Sequence, residues 1–394
     1  MMALEGIRIL DLTRVLAGPY ATMVLADLGA DVIKIERPGT GDDSRNFGPY
    51  LHGESAYYMS LNRNKRSMTL NLKSPHGKQI IRELVPLMDV VVENFRPGTL
   101  EKLGLGYETL REINPRLIYA AASGFGRTGP YSRRPAYDGV VQAMGGVMSI
   151  TGPEDGTPTR VGTSIGDIIA GIFTAIGILS ALAARERTGK GQLVDVAMLD
   201  CQVAILENAI ARYSVTGEIP RPIGSRHPSV VPLEPFETQD GQLMVAVGND
   251  AVWLRLCEGL ERPDLAADPR FTANPSRLAH YDELRPILAE IFRTRTNAEW
   301  QARLDAVGVP ASPINNVPQV MEHPQVLARE MLVKLAHPVA GELTMAGIPI
   351  KLSETPGAIR MPAPTLGQHT EELLRDLLGY TPEQIAALRA EGAI

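Results

Sequence analysis

The sequence predicts an α/β protein, a doubly wound, Rossmann-like large domain joined to a smaller α/β domain. Three observations predict it. Short apolar runs alternate with helical stretches through the first third, as parallel βαβ units require. Some of those runs, DVVV at 89–92 among them, are almost continuously apolar, which suits strands covered on both faces. A chain of 394 residues also exceeds the usual size of one compact domain.

Taken in order, Ile7–Thr13 reads as the first strand, GPYATMVLADLGA as a helix and Asp31–Glu36 as the second strand. KQIIRELVPLM follows as helix, Asp89–Phe95 as strand, TLEKLGLGYETLREI as helix and Arg116–Phe125 as strand. Glycine-rich connections surround helices from Gly124 to Gly191. The 17-residue apolar run Ile168–Ala184 is rich in Gly and Ala and leads into the strand-like QLVDVAML, so it reads as a helix buried in a soluble domain rather than a membrane span. The proline-rich Glu218–Phe236 marks a boundary. The expected division is residues 1–205 for the N-terminal part of the large domain, 206–225 for a linker and 226–318 for the small domain. Residues 319–394 form a linker and a C-terminal return to the large domain. The small domain holds a strand, GQLMVAVGND, and the helices AVWLRLCEGL and LRPILAEIFRTRTNAEWQARLDAVG. The tail holds a β-like GELTMAGIPIKLSE and a final helix pair, TEELLRDLLGY and TPEQIAALRAEG.

Composition narrows the function. A net charge of −6 with scattered basic residues argues against a nucleic-acid binder. Two distant cysteines, Cys201 and Cys257, form neither a disulfide framework nor a zinc ribbon and suit a reducing compartment. The N-terminus lacks the pattern of a secretion signal, so the expected location is the cytoplasm. The seven histidines show no H-x-x-x-H pair and no coupling to CxxC, so no metal is expected. RVLAGPY, after the first strand, has one glycine where a dinucleotide fingerprint needs three, although Glu36 stands where a ribose-binding acid would. A P-loop and a G-x-S-x-G elbow are both missing, and Cys201 sits in an apolar run as an inert thiol.

One carboxylate stands out. Asp167, in GTSIGDIIAG, heads the long apolar run. It is either a helix N-cap or a charge held where water is scarce and put to use. With an ordinary aspartate pKa it is ionised at neutral pH and needs no base to act as a nucleophile. Arg37, Lys65, Arg66, Lys73 and Arg96 are either loop charges or the grip on a phosphorylated ligand. Arg37 and Arg96 both follow strands, where ligands of doubly wound sheets sit.

Seven segments in order over about the first 200 residues carry a resemblance: LEGIRILDLTRVLAGP, LGADVIKIERPGTGD, NKRSMTLNLKSPHGK, DVVVENFRPGTLEKLG, GPYSRRPAYDGVVQAMGG, GDIIAG and RTGKGQLVDVAML. Together they resemble the class III CoA-transferases, the formyl-CoA transferase and carnitine CoA-transferase family. The resemblance implies that Asp167 is the catalytic aspartate. It puts CoA contacts at Leu16, Ala17, Arg37, Leu70, Asn71, Lys73, Asn94, Phe95, Arg96, Lys102 and Tyr137. It implies an interlocked homodimer with no tightly bound cofactor, acting on an acyl-CoA and a small carboxylic acid, away from membrane and nucleic acid. The reaction so implied moves CoA from a donor such as succinyl-CoA through an aspartyl-acyl anhydride and an aspartyl-CoA thioester.

The sequence departs from that pattern in places. Lys102 stands where some relatives carry Arg, and Pro135 where some carry Lys. GSRHPSVVPLEPF and AVGND lack the glycine run of the formyl-CoA transferases, which disfavours oxalate and formyl-CoA. Arg226, His227 and Asn249 become candidates for a larger dicarboxylate. Two alternatives remain, an α-methylacyl-CoA racemase and a catalytically silent CoA-binding protein. Tyr137 in AYD disfavours the first, since racemases resemble GHD there.

Overall fold

Six parallel strands organise the first of two units in the computed structural model, which describes residues 1–154 and 156–394. Up to residue 219 its strands are β1 (Arg8–Asp11), β2 (Asp31–Glu36), a small hairpin of β3 (Tyr50–Leu51) and β4 (Glu54–Ser55), then β5 (Lys65–Thr69), β6 (Val90–Glu93), β7 (Ile118–Ser123) and β8 (Leu193–Ala197). The large sheet runs β5-β2-β1-β6-β7-β8, with Ile9 in register with Val32 on one side and Val90 on the other. Up to residue 219 its helices are α1 (Ala17–Asp27), α2 (Ala56–Leu61), α3 (Pro75–Leu84), α4 (Thr99–Lys102), α5 (Tyr107–Ile113), α6 (Asp138–Met144), α7 (Ile165–Thr188), α8 (Met198–Ala204) and α9 (Asn208–Thr216).

Alternate strand residues serve opposite faces. Ile9, Val32, Val90 and Val92 pack with Leu25 of α1 and with Ala175 and Ile178 of α7. Leu10, Ile33 and Val91 pack with Ile80 and Ile81 of α3 and with Leu373 and Leu374 of the helix Thr370–Leu378. Both faces are therefore covered, which is why the strands read as unbroken apolar runs. Helices α1 and α7 approach so closely that a Cβ on Gly171 would lie 2.7 Å from the Ala17 carbonyl oxygen.

Two helical readings in this unit need correction. The stretch from 99 to 113 is two helices rather than one, because Gly104 takes φ +70° between α4 and α5. Helix α7 packs on the sheet but is not wholly buried: Ile172, Phe173 and Ile176 face outward, 37%, 40% and 49% exposed.

The first unit comprises Met1–Met148, Arg160–Ile219 and Gln325–Ile394, and the second Ser149–Thr159 and Pro220–Pro324. The second is thus wider than 226–318 and takes in a segment that the sequence assigned to the large domain. Its antiparallel sheet of β9 (Leu233–Glu237), β10 (Gln242–Ala246) and β11 (Ala311–Pro313) covers a core of Phe236, Trp253, Phe292 and Trp300. The Trp300 indole N–H donates to the Phe292 carbonyl at 2.8 Å. The long helical run splits into Tyr281–Phe292 and Asn297–Ala306, since Thr296 and Glu299 form a capping box that restarts it.

In this second unit the three candidates for a substrate carboxylate have local partners. Arg226 pairs with Glu154 at 3.1 Å, His227 accepts the Ser229 N–H at 3.1 Å and Asn249 caps the helix Asp250–Gly259.

Candidate active site

The order of the large sheet reverses between β1 and β6, and the chains leaving their C-terminal ends diverge to opposite sides, opening a crevice. The crevice is built first from the turn between β1 and α1. Val15 adopts φ +67°, a left-handed conformation that costs a β-branched residue about 1–3 kcal/mol. Neighbouring elements hold it there. The Val15 N–H donates to Asp42 Oδ1 at 3.0 Å, and the Lys34 ammonium donates to the Thr13 carbonyl at 2.9 Å. Asn94 brackets Arg14, accepting its N–H at 2.9 Å and donating to its carbonyl at 2.7 Å.

Beneath the turn lies a sealed set of charges. Lys34 pairs with Asp42 at 2.8 Å and Lys65 with Asp11 at 3.0 Å, all four side chains fully buried. Against the penalty of burial, Lys65 and Lys34 hold the Asp11 carboxyl below its ordinary range, and Lys34 does the same for Asp42. Glu36 is equally committed, accepting two guanidinium bonds from Arg45 at 2.7 and 2.8 Å and the Ser67 hydroxyl at 2.6 Å. It is a structural ion pair, not a ribose ligand. Lys65 and Arg66 also leave the list of ligand cations: Lys65 is buried, and Arg66 pairs with Asp31 at 2.6 Å and Glu372 at 3.2 Å.

Two cavities open above this floor. The larger, about 560 Å³, is lined by Arg37, Leu70, Asn71, Lys73 and Phe95. The smaller, about 140 Å³, is lined by Leu16, Ala17, Asn94, Phe95, Arg96, Tyr137 and Asp167. Arg14, Asp43 and Phe95 line both, so the two adjoin at these residues. The two cavities thus take in Asp167 and every CoA contact that the resemblance implies except Lys102, the last residue of α4, which is exposed and lines neither; Lys65, Arg66, Arg226, His227 and Asn249 line neither as well. The single turn of α4 directs Thr99 and Leu100 inward instead.

Sequence reasoning missed the residues at the junction. Asp43 pairs with both Arg14 and Arg37 at 2.7 Å, and the Arg14 guanidinium lies 5.8 Å from the Phe95 ring centre. Buried Glu93, at the end of β6, accepts the Phe95 N–H at 2.7 Å, and burial pushes its carboxyl up to about 7. Arg14 and Glu93 lie within quoted motifs, yet nothing in residue type or spacing separates them from ordinary loop charges.

Asp167 departs from the capping reading and from the ordinary pKa expected of it. It is the third residue of α7 rather than its cap, and Ser164 at the cap position makes no side-chain cap bond. Nor is its carboxyl ordinary. Burial, with Asp138 beside it, raises its pKa to about 7. Among the described residues it has no hydrogen-bond or ion-pair partner and faces the smaller cavity. Tyr57 of α2 is pushed up to about 12 by burial and by Asp167, Asp42 and Asp138. The two cysteines are buried, burial raising Cys201 to about 11 and Cys257 to about 12. Among the described residues no cluster of His, Cys, Asp and Glu is arranged to hold a metal.

Comparison with known proteins agrees on one family. A profile of CoA-transferase family III matches residues 4–370. The chain is 42% identical over 395 residues to a succinyl-CoA:glutarate CoA-transferase of Mus musculus, spanning 100% of this chain and 91% of that protein. It is 46% identical over 364 residues to an acetyl-CoA:oxalate CoA-transferase of Acetobacter aceti, spanning 91% and 92%. A crystal structure of a CAIB/BAIF family protein from Brucella suis superposes with a TM-score of 0.85 at 39% identity, covering 95% of this chain and 99% of that one.

Proposed function

This chain belongs to CoA-transferase family III and is a CoA-transferase, and from that premise we propose that Asp167 is its nucleophile, succinyl-CoA its donor and a small dicarboxylic acid its acceptor. The observation that carries this reading is the adjacency of the two cavities, which share Arg14, Asp43 and Phe95 and set the Arg37 and Lys73 cations in the one beside an unpartnered carboxylate in the other. The other carboxylates lining the cavities are paired: Asp43 with two arginines, Asp42 with Lys34 and Glu36 with Arg45.

In this reading an Asp167 oxygen adds to the donor thioester carbonyl, the C–S bond breaks, and an aspartyl-acyl anhydride forms with CoA thiolate. The thiolate attacks the aspartyl carbonyl, releasing the donor acid as its carboxylate and leaving an aspartyl-CoA thioester. The acceptor carboxylate then attacks that thioester, giving a second anhydride and freeing the thiolate again. Attack of the thiolate on the acceptor's acyl carbon yields the new acyl-CoA and restores Asp167. Each activated ester hydrolyses if water reaches it, so a small, narrow cavity suits the chemistry.

The acceptor class rests on the relatives and on charge. Glutarate and oxalate are both dicarboxylates. The oxalate relative weakens the case against oxalate drawn from the missing glycine run. Arg96 and Arg134 line the Asp167 cavity without an ion-pair partner among the described residues, and Arg134 is stacked 3.7 Å over Tyr131. These guanidiniums would receive the distal carboxylate. Arg37 and Lys73 would take CoA phosphates, Phe95 the adenine, and Leu16 and Leu70 apolar parts of the cofactor. Lys102 does not share in that grip. The homodimer is part of the same proposal, and the outward apolar residues of α7, with Ile210 and Tyr213 of α9 at 48% and 53% exposure, are area a second copy would cover. Two buried thiols suit a cytoplasmic location.

Replacing Arg37 or Lys73 with alanine is expected to raise KM for the acyl-CoA about 10- to 100-fold with little change in kcat, because a charge-assisted bond to phosphate is lost equally in ground and transition states. The reading as a whole is tested by mixing the protein with succinyl-CoA and mapping peptides by mass spectrometry. A hydroxylamine-sensitive adduct on the peptide bearing Asp167 is expected. CoA binding without any adduct, combined with exchange of the acyl α-proton in heavy water, would replace it with the racemase.

A further inference from the structure

Asp138 bonds the residue before Asp167 and is not among the residues lining the cavity. It is the first residue of α6 and 7% exposed. One carboxylate oxygen accepts the Gly166 N–H at 2.8 Å, and the other accepts the Gln142 amide at 2.8 Å. Gly166 lies in the first turn of α7, where backbone N–H groups have no partner inside the helix. Since Ser164 does not cap α7, a side chain from another helix does. The fit is tight, for a Cβ on Gly166 would meet Val141 at 2.9 Å and Asp138 at 3.0 Å. Gln142 also accepts the Val161 N–H at 2.9 Å, so the same pair fixes the chain entering α7.

We propose that Asp138 is the positioning residue of the transfer reaction: from α6 it caps α7, fixes where Asp167 projects, and sets the pH at which Asp167 becomes nucleophilic. This rests on Asp167 being the nucleophile. A cap supplied from outside the helix leaves the Asp167 side chain free for chemistry. The second effect is electrostatic. A like charge near a buried carboxyl disfavours its ionisation, and Asp138, bonded to the residue before Asp167, is such a charge. The other titratable groups around this end of α7 are distinct. Arg160 lies 3.8 Å from Asp138. Tyr57 comes from α2, Tyr20 from α1, and Asp200 and Cys201 from α8. Arg14, Asp43, Arg96, Arg134 and Tyr137 come from the cavity wall.

The test compares two variants with the wild type in pH profiles of kcat/KM for succinyl-CoA. Asp138→Asn keeps an oxygen for the Gly166 N–H and removes the charge. It is expected to move the acid limb about 0.5–1 pH unit lower, so activity at pH 6 rises relative to that at pH 8. Asp138→Ala removes cap and charge together, and a kcat loss of at least about 10-fold is expected on top of the shift. A purely structural role would lower the melting temperature and leave the acid limb in place. An unmoved limb in Asp138→Asn, or a wild-type kcat in Asp138→Ala, overturns the proposal. Asp167→Asn is assayed in parallel. If it stays active, the reading of the nucleophile has failed, and the Asp138 profiles are not the cause.

Discussion

Asp167→Asn is expected to lower kcat by about four orders of magnitude or more, the usual penalty for deleting a covalent nucleophile, while making the folded chain more stable at pH 8. The two effects share one origin. A carboxyl whose pKa rises from 3.8 to about 7 on folding resists ionisation in the folded state. At pH 3 both folded and unfolded chains carry it protonated, and nothing is lost. As pH climbs past 3.8 the unfolded chain ionises first, so stability falls, and the full loss is present once pH exceeds about 7. Its size is on the order of 2–4 kcal/mol, the lower figure allowing for partial exposure of the side chain. Asparagine avoids that loss. Thermal melts at pH 8 are therefore expected to show the variant above the wild type, with the two converging near pH 4. A melting temperature equal to or below the wild type's at pH 8 would show that the carboxylate is not under this strain.

The pH profile is the second large effect. Only the ionised carboxylate attacks a thioester, so kcat/KM is expected to rise about tenfold per pH unit up to about 7 and then level off. An aspartate of ordinary pKa would give a flat profile from pH 5 upward. Glu93 also titrates near 7 but lies under the Phe95 turn rather than in the cavity wall. Glu93→Gln is accordingly expected to leave the acid limb where it is. A limb that vanishes in Glu93→Gln would transfer the ionisation to that residue.

The fold was legible because its signals are local and redundant. DVIKIE could be read as a strand and DVVV as a doubly covered one, and five of the six parallel strands formed where such runs stood; β5, Lys65–Thr69, is KRSMT and carries no apolar run to announce it. Helix limits were less legible. A glycine such as Gly104 ends a helix only when the chain turns left-handed, and nothing in the local pattern announces that. For the candidate site, Asp167 stood out because a charge at the head of an apolar helix is unusual. Its raised pKa was invisible, since it comes from burial and from Asp138 on another helix. The partners of Lys65, Arg66 and Glu36 were hidden for the same reason. Asp31 and Glu372 lie 35 and 306 residues from Arg66, and sequence spacing cannot pair them.

The floor of sealed charges under the β1–α1 turn bears on how such a crevice changes over time. Asp11, Lys34, Asp42 and Lys65 neutralise one another out of reach of water, and replacing any one strands a buried charge at a cost of about 3–5 kcal/mol. Single substitutions there are steps into a valley, and only concerted ones cross it. Arg14, Asp43 and Arg37 sit partly in solvent above them, where one change costs little. New substrate preferences can therefore arise one residue at a time around the rim, while the cradle that holds Val15 in its unfavourable conformation is inherited as a block.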